Sequence, residues 1–139
     1  MENGKVTWKQ IVYPLVGACQ EVHRQLGPYL NEYMYQDALA MELLLRDVSF
    51  DKEYYFTATY KGQIIDHKHF VDFRVMNGDI PIIVECKAVE TLADCHRQQL
   101  WNYMRLTGVN YGMLYNFGPV YAQCEKYHYD QQTSKMIAF

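Results

Sequence analysis

The chain has 139 residues, half of them hydrophobic and 21% charged, with a net charge of −3 when the histidines are neutral. That length predicts one domain over 1–139 with a core of its own, and the acidic balance excludes a protein that binds nucleic acid by bulk electrostatics alone. No apolar run reaches membrane-spanning length and MENGKVTWKQ lacks the apolar centre of a signal peptide, so a cytoplasmic protein with no membrane attachment is expected.

Residues 8–26 place Ile11, Leu15, Ala18, Cys19, Val22 and Leu26 at helical spacing, which predicts an amphipathic helix. Pro14 is expected to start its regular part or to kink it, and Gly27-Pro28 to close it. A second helix is predicted from Asn31, a competent N-cap, to Arg46, with Glu32, Tyr35, Leu39 and Leu43 on one stripe. From Val48 the pattern turns to short β-type runs. These are KEYYFTATY, a turn at Lys61-Gly62, and QIIDHKHFVDFRVM, which with residues 80–87 predict a three-stranded meander. Thr91 followed by Asp94 reads as a capping box that opens a helix through Leu106, ending at Gly108. YGMLYNF and QCEKYHY read as two more strands. This order suits an α/β sandwich whose mixed sheet is covered on both faces.

The stretch from Phe70 to Lys87 carries the sharpest chemistry. Asn77-Gly78 between apolar runs predicts a two-residue type I′ hairpin turn, with Met76 facing Asp79. That register pairs Asp72 with Ile83 and Phe70 with Glu85. Asp72, Ile83, Glu85 and Lys87 then share one face, and Val71, Phe73, Val75, Ile82, Val84 and Cys86 the other. Asp72 and Glu85 become diagonal neighbours, roughly 7–8 Å apart at the backbone, a gap that two carboxylates close around one small cation. Two hard oxygen donors suit Mg²⁺ or Mn²⁺, and Lys87 lies on the same face to orient a water or offset phosphate charge. Taken alone, Glu85 and Lys87 also fit solvated charges at a strand end.

Gln99 and Tyr103 are four apart and share a helix face with His96, an amide and a phenol suited to holding a phosphate or the lysine. Other groups point less far. His67 and His69 alternate on a strand with no third ligand in view, and a solvated strand is favoured. Cys95 and His96 are helix neighbours that diverge by about 100° and make no nucleophile and base pair. Cys19, Cys86, Cys95 and Cys124 show no Cys-x-x-Cys spacing, so reduced thiols are expected rather than a zinc knuckle or disulfide framework. The 13 tyrosines fit base stacking and half-buried strands equally well.

Together these residues resemble the PD-(D/E)xK nuclease superfamily, in particular the small proteins named after a GxxExxY motif, compact relatives of the RecB-type nuclease domain. The resemblance runs from about Val12 to Tyr129. LGPYLNEYMYQDAL supplies Glu32 and Tyr35 in matching places, with Tyr29 where the motif has glycine; Asp72 matches the aspartate, VECKAVE the ExK strand, and Gln99 with Tyr103 the QxxxY helix. The resemblance implies a restriction-endonuclease-like αβββαβ core and Mg²⁺- or Mn²⁺-dependent cleavage of DNA. It implies metal binding by Asp72, Glu85 and the carbonyl of Cys86, with Glu32 as a direct or water-mediated ligand. Lys87 would orient the attacking water, and Gln99 and Tyr103 would position the scissile phosphate. An acidic chain of this size offers few phosphate contacts, so a homodimer or a protein partner is expected. Two other readings stay open: a binding or regulatory module without useful turnover, and a metal-dependent hydrolase of a small phosphoester.

Overall fold

A computed structural model of the chain describes residues 6–139, so the signal-peptide reading of MENGK lies outside the described residues. Helix α1 (Trp8–Leu26) is opened by Thr7, whose hydroxyl accepts from Gln10 N while the Gln10 side chain accepts from Thr7 N. It runs on through Pro14, on its exposed side, and stops at Gly27, where φ is 75° and the N–H donates to His23 O. Helix α2 (Glu32–Leu45) starts at Asn31, whose side chain accepts from Met34 N as expected, and it buries Tyr35, Leu39 and Leu43.

Eight strands and a third helix follow: β1 (Phe50–Phe56), β2 (Thr59–Tyr60), β3 (Gln63–Ile64), β4 (His69–Asn77), β5 (Ile80–Lys87), α3 (Asp94–Thr107), β6 (Tyr111–Asn116), β7 (Gln123–Asp130) and β8 (Lys135–Ala138). Six strands form one sheet in the order β1-β4-β5-β6-β7-β8, and β2 and β3 form a separate ribbon. The β5–β6 pairing is parallel and the others are antiparallel, because α3 carries the chain from the end of β5 back to the start of β6. One face of the sheet packs on α1 and α2, the other on α3. This is the mixed, helix-flanked sheet of a restriction-endonuclease-like fold. Among the described residues no helix is long and apolar enough to cross a membrane.

Several local expectations give way to longer-range contacts. The meander holds as β1-β4-β5, but the runs 52–60 and 63–76 each divide. Lys61 and Gly62, both at positive φ, turn the chain back immediately, and β1 pairs with β4 past the small ribbon. Strand β8 was not expected, since its four residues show no clear alternation. The N-cap of α3 is Ala93 rather than Thr91: His96 Nδ1 accepts from Ala93 N at 3.0 Å, and the Thr91 hydroxyl meets the Gln123 side chain instead.

The hairpin register also differs from the expected one. Asn77 pairs with Ile80, so the two turn residues are Gly78 and Asp79, with positive φ at Gly78 alone, the pattern of a type II′ turn. Asn77 is withdrawn from the turn because its side-chain amide donates to Ile11 O at 2.7 Å, tying the hairpin to α1. The partner of each β4 residue moves by two along β5, so Arg74 rather than Asp72 lies opposite Ile83. A two-residue shift does not by itself turn a side chain to the other face, and it carries Asp72 from a diagonal position to a place opposite Glu85.

Candidate active site

The β4–β5 ladder is regular from Asn77–Ile80 to Phe73–Val84, and then side chains take over from backbone. Asp72 N donates to Glu85 Oε2 at 2.8 Å, and Cys86 N donates to Asp72 Oδ2 at 2.8 Å. Two carboxylates thus fill the gap where the strands part. On the other side of β4, Glu53 interrupts β1 with φ 54°, between the pairs Lys52–Phe73 and Tyr54–Val71. Strand β4 changes face here. Phe73 packs in the core under α1 and α2, whereas Val71 packs with Ile83, Leu100 and Leu114 under α3, so the expectation that Val71 shares the Phe73 face fails. A left-handed residue within a strand re-aims its neighbours, and no local signal in KEYYF announces it.

The pair is electrostatically frustrated. Glu85 is 3% exposed, and burial followed by the Asp72 charge pushes its carboxyl well above the usual carboxylate range. Burial also raises Asp72, against the Cys86 N–H and the Lys87 ammonium, which favour its charged form. The Glu53 charge adds to the rise, a neighbour that the sequence did not suggest.

Glu32 stands in the first turn of α2, where its carboxylate accepts from Gln36 Nε2 at 3.0 Å. It makes no hydrogen bond to Asp72 or Glu85. Its carboxyl is raised by burial and then by the charge of Asp72, with Lys87 opposing, so the three acids and the lysine act on one another. Lys87 projects from the face of β5 that meets α3 and donates to Gln99 Oε1 at 3.2 Å; Gln99 Nε2 donates in turn to Tyr103 Oη at 3.3 Å. Burial and the Glu85 charge raise the Tyr103 phenol, which keeps its proton and can donate it in a hydrogen bond. His96, one turn before Gln99, has its imidazole pushed below the usual histidine range by burial and by the charges of Lys87 and Arg97. The structure therefore gathers Asp72, Glu85, Lys87, Gln99 and Tyr103 at the open end of β5, with Glu32 facing them from α2.

Among the described residues no three histidine, cysteine, aspartate or glutamate side chains converge to hold an ion by themselves. His67 and His69 have ring centroids 6.5 Å apart, and His69 stacks on Phe56. Cys95 is exposed and His96 caps its helix, so those two form no pair. Tyr35 is a core residue. Its hydroxyl donates to Gly27 O at 2.6 Å and accepts from Leu30 N at 3.2 Å, and its ring stacks on Phe117, which fixes the loop before Glu32. Asn116, fully buried, plays a similar part for the loop after Lys87: its carboxamide bonds both the N–H and the C=O of Val89. An asparagine ending the apolar strand YGMLYN was the one sequence sign of it.

Comparison with known proteins agrees with this architecture. The profile of the PD-(D/E)XK nuclease superfamily matches residues 9–127. The crystal structure of SSO0001 superposes with a TM-score of 0.51 at 16% identity, over 83% of this chain and 59% of that one. That likeness concerns the fold, and the chain spans about three fifths of the length of that structure. No curated protein matches.

Proposed function

The chain belongs to the PD-(D/E)XK nuclease superfamily, and from that premise we propose that it is one nuclease domain over 1–139, hydrolysing phosphodiester bonds of DNA with Mg²⁺ or Mn²⁺. The observation that carries the reading is the Asp72–Glu85 pair. Each carboxylate accepts one backbone N–H, and the two carboxyl groups lie within hydrogen-bonding reach of each other. Burial opposes two negative charges there, so the pair fits either a shared proton or a small hard cation. Cys86 adds a backbone oxygen. Its N–H points to Asp72, and a strand residue turns N–H and C=O to the same neighbour, so its carbonyl also faces the gap. Asp72, Glu85 and the Cys86 carbonyl, with Glu32 close by, would form the sparse oxygen donor set that suits Mg²⁺.

When bound, such a cation supplies Lewis-acid polarisation of a phosphoryl oxygen. The chain's own groups do the rest. Lys87, steadied by Gln99, orients the water whose oxygen bonds to phosphorus as one P–O ester bond breaks. Tyr103 accepts from Gln99 and so has its own O–H free for a non-bridging phosphate oxygen. A homodimer or a protein partner would enlarge the surface offered to DNA. Incubation of plasmid and oligonucleotides with the protein and Mn²⁺, beside a panel of small phosphoesters, tests the reading. Cleavage of DNA that Glu85→Gln abolishes is expected; turnover of the small esters alone would replace the nuclease with a phosphoesterase.

A further inference from the structure

Tyr29 carries a conformation that its side chain disfavours. Its φ is 70°, and of the five non-glycine residues at positive φ among the described residues it is the one aromatic. Only glycine reaches this region without steric cost, and an outlier of this kind next to a candidate site is a sign of use. The ring is not held by packing, since the residue is 79% exposed. What fixes the backbone is a hydrogen bond from Tyr29 N to Gly118 O at 2.9 Å and the grip of Tyr35 on the residues either side.

Tyr29 borders a cleft of about 400 Å³, whose other walls include Leu30, Ala88, Val89, Glu90 and Pro119. The cleft adjoins the proposed catalytic groups through the chain on both sides. Tyr29 and Leu30 precede Glu32, and Ala88 follows Lys87 directly. Its floor is preformed. A Cβ on Gly118 would lie 2.5 Å from Val89 O, and Asn116 clamps both backbone groups of Val89. The lining contains one charged side chain, the carboxylate of Glu90, and no lysine or arginine.

A cleft of this volume takes one nucleotide-sized group, and its acidic, aromatic lining suits the base rather than the phosphate. The base offers a π-face to the tyrosine and N–H donors to the carboxylate, whereas a phosphate would meet Glu90 with like charge. Resting on the nuclease reading above, we propose that Tyr29 stacks on the nucleobase beside the scissile phosphate, and that the substrate is single-stranded DNA. A base inside a duplex is already stacked on both faces and cannot enter without being pulled out. Stacking also resolves the conflict between a net charge of −3 and a polyanionic substrate, because it needs few phosphate contacts.

The test measures binding of a fluorescein-labelled 12-mer, single-stranded or duplex, in Ca²⁺, with 2-aminopurine placed in the strand as a stacking probe, and cleavage in Mn²⁺. The parent protein is expected to prefer the single strand, with weak dependence on salt, and to quench the probe. Tyr29→Gly and Tyr29→Ala should bind about 5- to 100-fold more weakly and lose the quench, while Tyr29→Phe keeps both. Tyr29→Gly should also melt at a higher temperature than the parent, because glycine takes the positive φ freely, so its lost affinity cannot come from unfolding. A parent that cleaves DNA while all three variants bind and quench as it does would overturn the role of Tyr29 and leave the nuclease standing. A duplex bound as tightly as the single strand would overturn the substrate assignment. A parent that neither binds nor cleaves either form would remove the nuclease reading and this inference together.

Discussion

Where α1 and α2 cover the sheet, Phe73, Val75, Ile82, Val84 and Cys86 meet Tyr35, Leu39 and Leu43, and no charged group is buried among them. Where α3 covers it, the apolar run of Ile83 and Leu114 gives way within two residues to Glu85, and then to Lys87. Both faces come from the same strands, so period-2 alternation hands each strand one residue for stability and the next for chemistry. The difference lies in the cover. Two helices close the first face, while α3 alone leaves the end of β5 open and lets polar groups stand at the rim of a core.

Four experiments would break or sharpen that contrast. The largest effect is expected at the carboxylates, since an amide keeps the shape and removes the charge that a hard cation needs. Asp72→Asn and Glu85→Gln should each lose Mn²⁺ binding in calorimetry and reduce cleavage to background with an unchanged circular dichroism spectrum. Unaltered Mn²⁺ affinity in both would dissolve the site.

Lys87→Ala should come next. A water-orienting role is worth about 10²–10⁴ in rate, so single-turnover cleavage at saturating Mn²⁺ should fall to about a hundredth or less. Mn²⁺ should bind at least as tightly, because a cation that acts on Asp72, Glu85 and Glu32 has been taken away. Equal rates would make Lys87 a solvated charge and return the open face to a structural role.

On the closed face the expected loss is in stability. Tyr35→Phe removes the hydroxyl that joins Gly27 O and Leu30 N, which should cost about 1–3 kcal/mol in urea unfolding. A large fall in rate at unchanged stability would move Tyr35 from the core to the site.

The smallest effect is in pH. Asp72 and Glu85 have carboxyls raised in the folded state, so the folded protein retains a proton that the unfolded chain releases above about pH 4. Their contribution to stability is whole below that pH and is lost as pH rises through the folded values. Without metal, melting temperature should therefore decline from about pH 5 upward, as the folded state loses at most roughly 1.4 kcal/mol of stability per pH unit for one proton, and Glu85→Gln should flatten the decline. Saturating Mn²⁺ should flatten it too. A melting temperature that climbs over this range would show that the pair is not strained.

Much of this protein is determined by the sequence alone, and what it determines is local. The apolar stripes of α1 and α2, the Asn31 cap, the Gly108 stop and the existence of the Phe70–Lys87 hairpin all rest on contacts within one turn or on alternation along a single strand. The grouping of Asp72, Glu85, Lys87, Gln99 and Tyr103 was legible as well, because the motif order survives a two-residue error in register that keeps Asp72 beside Glu85. Tertiary structure decided the rest. Asn77 leaves the turn for a carbonyl 66 residues away, Glu53 breaks β1 opposite Asp72, His96 rather than Thr91 closes the start of α3, and Gly118 and Tyr35 hold Tyr29 at positive φ. Each of these exchanges a local preference worth about 1 kcal/mol for hydrogen bonds and packing between segments distant in the chain, which no window of sequence contains.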